Sequence, residues 1–226
     1  MASSKTKSKK KKRVKRVWTL FEEELFTVES RDDSFNFYRD ADPAVDLPDA
    51  AEIRRRNLEG YIAQVADPPT VLVVGDAPIW RGTRFTGIPF TSQAQLLRPD
   101  FPVSGDRSSR GPNPLSERTA TQLWETFLPH HPRVFLWNAY PIHSHRKGAA
   151  RTNRTPSRRE LGEFGDLLRE LHEILKPESV LAVGRTAQTA LGDLEIEHTY
   201  VRHPAYGGLR SFRRGVSDEL EDDEEE

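Results

Sequence analysis

Four short apolar runs that stop abruptly constrain the fold of this chain more than any other feature of its sequence. The clearest is VLVV at residues 71–74, which lies between Pro68-Pro69 and Gly75. It is too short for a helix, so it predicts a buried strand that ends at the glycine. The other runs lie at residues 134–137, 180–183 and 198–201.

Helical patterns separate these runs. Residues 50–65 predict an amphipathic helix with Ile53 on its apolar face and Arg54 pointing elsewhere. Ser157 and Glu160 have the spacing of a capping box, which begins a long helix predicted to run to residue 175. Because strands that alternate with helices pair in parallel, we predict a three-layer α/β/α sandwich around a short, mainly parallel four-stranded sheet.

The composition limits the class of protein. With 226 residues and 35% hydrophobic content, the chain has enough apolar material for one sizeable core plus tails. No run approaches a membrane span and the N-terminus lacks the apolar segment of a secretory signal, so we expect an intracellular protein, cytoplasmic or, in a prokaryote, associated with the nucleoid. The absence of cysteine excludes disulfides, thiolate metal sites, cysteine-held iron–sulfur clusters and cysteine catalysis.

The formal net charge of -1 averages two opposite ends, since residues 5–16 are almost wholly basic and residues 218–226 almost wholly acidic. Blocks of like charge repel themselves and bury little, so we predict a disordered basic tail over residues 1–16, a folded domain over 17–215 and a disordered acidic tail over 216–226. The basic block fits a solubilising tail and a nonspecific arm for phosphate backbones equally well.

Polar residues follow three of the predicted strands at the point where each strand ends. Gly75-Asp76, Asn138 and His203 occupy these positions. Alone, each has an ordinary structural explanation: Asn138 could cap a turn, Asp76 could bond its own loop, and His203 could be a loop histidine. Because the carboxyl ends of parallel strands meet at one edge, we expect an acid, an amide and an imidazole to line a single cleft.

The loop after the first strand differs from an ordinary connection. Residues 81–113 form a long irregular region rich in Gly, Pro, Ser and Arg, and a loop of that length is usually functional or disordered. Pro78 stiffens its start, Arg81 and Arg84 add positive charge, and Phe90 stands among small residues.

Three segments carry a resemblance to a known family. GDAPIWRGTRFTGIPFTS at residues 75–92, WNAYPIHSH at 137–145 and VRHPAYGG at 201–208 resemble the uracil-DNA glycosylase superfamily, in particular its members with a GEAPG-type first motif. The likeness covers most of residues 35–215. It implies a DNA glycosylase that flips out uracil or a related deaminated or damaged base and hydrolyses its N-glycosidic bond, which initiates base excision repair.

The resemblance also implies roles, partners and cofactors. Residues Gly75, Asp76, Ala77 and Pro78 would form the water-activating loop, Phe90 would stack on the extruded base, Asn138 would read the uracil edge, and His203 would act at uracil O2. The expected partner is DNA that contains uracil or another damaged base, bound by a monomer without a membrane or a cofactor.

The chemistry of that reaction suits these residue types. The amide of Asn138 offers a donor and an acceptor, which match uracil O4 and N3–H. A donor such as His203 near O2 is most favourable in the transition state, when negative charge develops on the departing pyrimidine. A carboxylate at Asp76 could orient water and stabilise the cationic sugar.

Two departures from the family pattern bear on function. The best-known branch has its catalytic aspartate one residue further along, where this chain has Ala77, so Asp76 matches the glutamate of the GEAPG branch. That branch also holds an iron–sulfur cluster through four cysteines, which this chain lacks. Its loops must be held by packing alone, or it belongs to a cluster-free subgroup with another substrate preference.

The remaining cations fit a DNA surface. Those predicted to bind DNA are Arg81, Arg84, Arg146, Lys147, Arg154, Arg210 and Arg213, and further basic residues in the same segments are Arg107, Arg110, His143, His145, Arg151 and Arg214. Clustered at the cleft, they would form a phosphate-binding rim. The pair His143 and His145 raises a metal site as an alternative, but no carboxylate stands at a convincing ligand spacing, so no metal is predicted.

Two other functions remain open on the sequence alone. One is a binding module of the same fold that recognises nucleic acid or a nucleotide without cleaving it, because fold does not determine activity. The other is a nucleotide-binding Rossmann-like enzyme. No G-x-G-x-x-G or G-x-x-x-x-G-K-[ST] follows any strand, which disfavours the second.

Overall fold

The computed structural model describes residues 2–65 and 68–221. The strands within this part are β1 (Ser34–Phe35), β2 (Val71–Gly75), β3 (Val134–Asn138), β4 (His143–Ser144), β5 (Ser179–Val183) and β6 (Thr199–Val201). The α-helices are α1 (Ala2–Glu24), α2 (Ala50–Val65), α3 (Thr83–Thr86), α4 (Gln93–Leu96), α5 (Arg118–Phe127), α6 (Arg158–Glu163), α7 (Gly165–Leu175), α8 (Arg185–Asp193) and α9 (Leu209–Glu221). None of these helices is long and apolar enough to cross a membrane.

The four predicted strands form one parallel sheet in the order β3-β2-β5-β6. Gly75 pairs with Asn138 in register, so β2 and β3 end at the same level. The backbone N–H of Gly184 donates to Val201 O at 3.0 Å, which brings the ends of β5 and β6 together. The prediction of a sandwich around a parallel four-stranded sheet is therefore confirmed, and the polar residues that follow the strands share one edge.

Helices cover both faces of this sheet. Crossovers between parallel strands are right-handed as a rule, which with this strand order puts α5, between β2 and β3, on one face and α6 to α8, which lead to β5 and β6, on the other. Helix α1 packs on α7, and α9 packs on β6 and α5. Helix α2 protects the edge strand β3, where the Tyr61 hydroxyl accepts a hydrogen bond of 2.6 Å from the Leu136 backbone N–H.

The predicted capping box is present, but the helix that it begins is broken. The Ser157 hydroxyl accepts from the Glu160 backbone N–H, and the Glu160 carboxylate accepts from the Ser157 backbone N–H. At Phe164 the backbone leaves the helical region, with φ -111° and ψ 13°, so α6 and α7 are separate helices. The apolar stripe continues across this break, which is why the pattern predicted a single helix.

The basic end differs from the predicted disordered tail, because residues 2–16 belong to α1. Val14 and Val17 pack against the core at helical spacing, and Phe21 stacks on Trp137 with ring centroids 4.5 Å apart. The Lys10 ammonium donates to the Gln64 carbonyl at 3.2 Å. The apolar positions between the lysines therefore anchor this helix, which a reading of charge alone did not detect. Residue 1 lies outside the described residues.

The acidic end also differs from the prediction over residues 216–221, which continue α9. Phe212, Val216 and Leu220 are spaced four residues apart and are all buried, so they form one apolar stripe with the acidic residues away from it. Residues 222–226 of the predicted tail lie outside the described residues. The boundaries of the folded domain at 17 and 215 remain a prediction.

A buried charge cluster holds the long loop of residues 81–113 against α2. Arg84 donates to both carboxylate oxygens of Asp46, at 2.9 and 3.2 Å, and Arg54 lies 2.5 Å from the same carboxylate. Burial acts to raise the pKa of Asp46, but the hydrogen bond and charge of Arg84 and the charge of Arg54 outweigh it, so that pKa is lowered. We refer to Arg54, Asp46 and Arg84 as the buried arginine cluster.

This cluster corrects the predicted position of Arg54. The side chain is 0% exposed and donates to Ser108 Oγ and to the carbonyls of Phe37 and Asp40. Burial lowers the pKa of Arg54 to about 10, against the charge of Asp46. The loop that this arginine contacts is thus packed and hydrogen-bonded, so it is ordered despite its irregular sequence.

Candidate active site

A cavity of about 370 Å³ opens at the carboxyl edge of the sheet. Six of the residues singled out from the sequence as catalytic or substrate-binding line it: Asp76, Ala77, Pro78, Phe90, Asn138 and His203. They come from the ends of β2, β3 and β6 and from the long loop, which meet because the strands are parallel and in register.

Gly75 lies beneath this cavity, and Phe90 explains why it is glycine. A Cβ built at position 75 would overlap Phe90 Cζ and lie 2.9 Å from Phe90 Cε1. Both distances are shorter than real Cβ contacts, so any larger residue would displace the ring. Glycine is therefore needed here to let the backbone approach an aromatic ring of the same chain, which forms one wall of the cavity.

The neighbours of Phe90 hold its ring in place. Thr91 is fully buried; its hydroxyl accepts from Trp124 Nε1 at 3.0 Å, and its carbonyl accepts from the Thr86 hydroxyl at 2.8 Å. Phe90 itself has a left-handed backbone with φ 53°. The ring is thus fixed by a buried hydrogen-bond network and not by its own conformational preference.

Asp76 is a partly buried acid with incomplete hydrogen bonding. Its Oδ1 is buried and has no hydrogen-bond partner among the described residues. Burial raises the pKa of Asp76, while His203 and, at the first turn of α8, the Ala187 backbone N–H and the Thr186 hydroxyl act to lower it. An unsatisfied carboxylate oxygen in a cavity can accept from water or stabilise a cation.

His203 has a defined tautomer. Its Nδ1 accepts a hydrogen bond of 3.1 Å from the Ala205 backbone N–H, so a neutral imidazole must carry its proton on Nε2. Burial lowers the pKa of His203, although the carboxylates of Asp76 and Glu117 act to raise it. The neutral form with an Nε2–H donor is therefore the form expected at neutral pH.

Gly184 brings the acid and the imidazole together. A Cβ at this position would lie 3.3 Å from Asp76 Oδ1 and 3.5 Å from His203 Cβ, so both side chains pack against its Cα. Its φ of 90° and ψ of 169° are accessible to glycine and strained for other residues. Gly184 directly follows the apolar run at residues 180–183, and the sequence did not predict that it belongs to the site.

Asn138 closes the floor of the cavity from β3 and is 3% exposed. The backbone beside it is tied to the first loop, because Ala139 N–H donates to Gly75 O at 2.8 Å and Tyr140 N–H donates to Asp76 O at 3.0 Å. These bonds fix the position of the amide relative to the carboxylate. No hydrogen bond from the Asn138 side chain occurs within the described residues, which leaves its amide available to a ligand.

Glu117 is an acid that the sequence analysis missed. It lines the cavity and caps α5, where its carboxylate accepts from the backbone N–H groups of Thr119, at 2.6 Å, and Ala120. A glutamate at an N-cap position is less common than Ser, Thr, Asp or Asn, so the start of this helix carried little signal.

Tyr206 is the second residue that the sequence analysis missed. It stands at the rim of the cavity in the loop after His203, has a left-handed backbone with φ 53°, and its side chain is 100% exposed. Glycines at 207 and 208 follow it. An aromatic ring held clear of the protein beside a polar cavity is placed to contact a bound molecule.

The structure contradicts one predicted DNA contact. Arg84 is 2% exposed and belongs to the buried arginine cluster. Its guanidinium also lies 4.4 Å from the ring centroid of Phe85 and 4.8 Å from that of Trp80. Enclosed by aromatic rings and paired with Asp46, this arginine has no surface to offer a phosphate.

Three other predicted DNA contacts are ion-paired. Arg154 binds the Glu160 carboxylate through both of its terminal nitrogens, at 2.8 and 2.7 Å, and this pairing lowers the pKa of Glu160 to about 2. At the surface, Lys147 pairs with Asp32 and Arg213 with Glu125. Those with exposed side chains and no ion pair among the described residues are Arg81, Arg146 and Arg210.

The two histidines of the possible metal site are buried, and one ring nitrogen of each lies close to a backbone carbonyl. His143 Nε2 lies 2.9 Å from the Thr152 carbonyl, and burial, together with the charge of Arg84, lowers the pKa of His143 to about 3. His145 Nδ1 lies 3.0 Å from the Arg146 carbonyl. Residues 2–65 and 68–221 contain no group of three or more His, Cys, Asp or Glu that could hold a metal ion.

Comparisons with known proteins identify the family and the fold of this chain. The profile of the Uracil DNA glycosylase superfamily matches residues 62–215. Among solved structures, the crystal structure of wild-type SMUG2 from Pedobacter heparinus has a TM-score of 0.61 with this chain at 15% sequence identity, and the match covers 93% of this chain and 96% of that one. At that identity the likeness shows the fold alone. A search of curated proteins found no match.

Proposed function

Because this chain belongs to the uracil DNA glycosylase superfamily, we propose that it is a DNA glycosylase that hydrolyses the N-glycosidic bond of flipped-out uracil or a related deaminated base. The observation that carries the proposal is the cavity itself. Asp76, His203, Asn138 and the ring of Phe90 line one volume. Among the described residues, Asp76 Oδ1 and the Asn138 amide have no hydrogen-bond partner, and the neutral imidazole of His203 carries its proton on Nε2.

The departing base is stabilised by His203. Cleavage of the glycosidic bond leaves negative charge on the pyrimidine, which is greatest at the carbonyl oxygens. The Nε2–H of a neutral imidazole donates to O2 and gains most in the transition state. Since Ala205 N–H fixes the tautomer, Nε2 already carries the proton before the substrate arrives.

Asp76 stabilises the sugar and orients the attacking water. As the bond breaks, the sugar gains cationic character, and a carboxylate close to it is worth more in a cavity than in water. Oδ1, which has no partner among the described residues, is available to accept from a water. Burial raises the pKa of Asp76, which makes its carboxylate a stronger base.

The base is selected by Asn138 and held by Phe90. The amide donates to uracil O4 and accepts from N3–H, whereas cytosine presents the reverse pattern on the same edge. Phe90 offers an apolar face that stacks on any base. The ring of Phe90 thus supplies affinity for any base, and the amide of Asn138 selects uracil.

One base must leave the stack of the DNA duplex to enter the cavity. A base inside a duplex must be extruded at a cost of a few kcal/mol. Tyr206, exposed at the rim, fills the space that the base leaves and so offsets part of that cost. Arg81, Arg146 and Arg210 contact phosphates around this entrance.

The test is a panel of duplex and single-stranded oligonucleotides that contain uracil, hypoxanthine, xanthine or a thymine mismatch, incubated with the protein and developed with alkali to cleave abasic sites. We expect strand breaks at uracil. Tight binding without breaks at any base would refute catalysis and leave a binding module of the same fold.

Asn138→Asp sharpens this test of base choice. The variant keeps the shape of the side chain but replaces its donor with an acceptor, so uracil O4 would face a buried acceptor at a cost of about 1–3 kcal/mol. We expect uracil excision to be lost and slow excision of cytosine to appear. Unchanged preference for uracil would show that Asn138 is a turn residue only.

A further inference from the structure

The basic half of α1 forms a cationic surface that the proposed active site does not use. Val14 and Val17 pack against the core, so the residues on the opposite side of the helix are exposed. The first acid of α1 is Glu22. The exposed cations on that side, which we call the basic face, are Lys9, Lys11, Lys12, Lys15 and Arg16. None of the five has an ion pair among the residues that the structure describes.

Two contacts fix the direction of α1 along the sheet. Lys10, in its basic half, donates to the carbonyl of Gln64, near the end of the helix that leads into the amino end of β2. Phe21 stacks on Trp137, close to the carboxyl end of β3, which is the edge where the cavity opens. Lys12 precedes Phe21 by nine residues, so the basic face is centred about 14 Å further from that edge. It therefore lies at the end of the sheet away from the cavity.

The composition of the basic face favours a phosphate backbone over other anionic partners. None of the large apolar residues that are exposed in the described part of the chain lies on α1, so a protein partner would find no anchor there. The apolar side of α1 packs against the domain, so it is not free to enter a membrane. Nucleic acid needs neither, because lysines bind phosphates as point charges and gain affinity by releasing counterions.

We propose that the basic face binds the phosphate backbone of a second DNA duplex while the first duplex is held at the cavity. The inference goes beyond the proposed function, because this contact requires no damaged base and no catalysis. The two sites lie at opposite edges of the sheet, so one short duplex does not span both. One molecule thus holds two segments of DNA and passes from one to the other without leaving both.

Sedimentation velocity with two short duplexes that carry different dyes tests the inference. One duplex contains a tetrahydrofuran abasic-site analogue, which the cavity would hold as a product, and the other is undamaged. We expect both dyes to sediment together with one protein monomer. Raising the salt concentration should release the undamaged duplex first, since its binding depends on phosphate contacts alone.

A triple variant and its matched control assign the second duplex to α1. Glutamine at positions 11, 12 and 15 removes three charges from the basic face and keeps a similar helix propensity. This variant should lose the undamaged duplex and keep the abasic one. The slope of log K against log salt for the undamaged duplex should become shallower by about 0.9 for each charge removed. Arginine at the same three positions keeps the charges and should retain both duplexes.

Three results would overturn the inference. If the parent never carries both dyes and the glutamine variant binds the abasic duplex more weakly, then α1 contacts the duplex at the cavity. Retention of both duplexes by that variant would place the second duplex elsewhere. A salt-sensitive dimer that forms without DNA and excludes the undamaged duplex would show that the basic face binds the acidic end of another copy.

The proposed function fails or stands separately. A protein that holds both duplexes but releases no uracil would keep this inference and refute the proposed function. Uracil release by a protein that holds only one duplex would do the reverse.

Discussion

The buried arginine cluster and the candidate active site both place charged groups below the surface, but they differ in how those groups are satisfied. In the cluster, the carboxylate of Asp46 is bound by two guanidinium groups and its pKa is lowered. In the site, Oδ1 of Asp76 has no partner among the described residues and its pKa is raised. The two acids stand in opposite electrostatic environments within one fold.

This difference separates structure from chemistry. A buried charge that is fully paired contributes to the arrangement of the chain and has nothing left to offer a substrate. A buried charge that is incompletely paired costs folding free energy and keeps its capacity to bind. The comparison predicts that substitutions in the cluster change stability without changing chemistry, and that substitutions in the site do the reverse.

The largest effect should follow removal of the central charge of the cluster. Asp46→Asn keeps the shape of the side chain but removes the carboxylate that Arg54 and Arg84 share, which should cost about 3–5 kcal/mol of unfolding free energy. Urea unfolding measures this loss. Asp42→Asn is the control, since Asp42 lies 3.8 Å from Arg84 and is more exposed, and it should cost less than about 1 kcal/mol.

The matching substitution in the site is His203→Ala. It should remove about 2.7–4 kcal/mol of transition-state stabilisation, by analogy with the loss of one oxyanion donor, while the unfolding free energy stays close to that of the parent. Single-turnover excision of uracil under saturating enzyme measures the first quantity, and urea unfolding the second. A variant that unfolds early yet excises at the parental rate per folded molecule would place His203 with the structural residues.

A smaller effect on stability and on excision should follow substitution of Gly75, which packs against an active-site ring. Gly75→Ala puts a Cβ into the ring of Phe90, so either the ring moves or the backbone does, at a cost of about 1–3 kcal/mol. Phe90→Ala removes the obstacle, and in that background Gly75→Ala should cost little. A double-mutant cycle on stability and excision measures this coupling. Additive effects would mean that the glycine is required for another reason.

The smallest effect should be a shift in the pH profile. Protonation of His203 at Nδ1 would break its bond with Ala205 N–H. Burial lowers the pKa of His203 below the ordinary histidine value of 6.5, so activity should fall once the pH drops below that value. The Glu117 charge raises that pKa, so Glu117→Gln should move the acid limb of kcat/KM to lower pH by less than about one unit. A limb that moves to higher pH would contradict this sign.

The strand ends of the site were predictable because their signals are local. A run of β-branched residues that stops at glycine needs no distant partner to be recognised, and Asp76, Asn138 and His203 follow from such runs once the sheet is taken as parallel. The relation between Gly75 and Phe90 was out of reach, since a contact across 15 residues depends on the path of an irregular loop.

The errors concern long-range pairing. Arg54 and Arg84 were predicted as surface cations because their partner, Asp46, stands in a separate loop, and an arginine is rarely buried unless paired.

The remaining errors concern local patterns. At the acidic end, Val216 and Leu220 form a helical stripe with Phe212, but the charge of the surrounding residues concealed this spacing. Strands β1 and β4 have two residues each and show no periodicity at all.

Phe90 and Tyr206 share a left-handed backbone, with φ 53° in both, and both are aromatic rings of the proposed active site. Such a conformation costs a residue with a side chain on the order of 1 kcal/mol or more, a strain that glycine would not carry. Tyr206 is fully exposed, so glycine at that position would relax the backbone and stabilise the fold while deleting the ring. Phe90 packs against the core, so glycine there would lose more packing than the relaxed backbone returns. Selection for thermostability alone would favour that change at position 206, so the tyrosine there carries a cost in stability that its own packing does not offset.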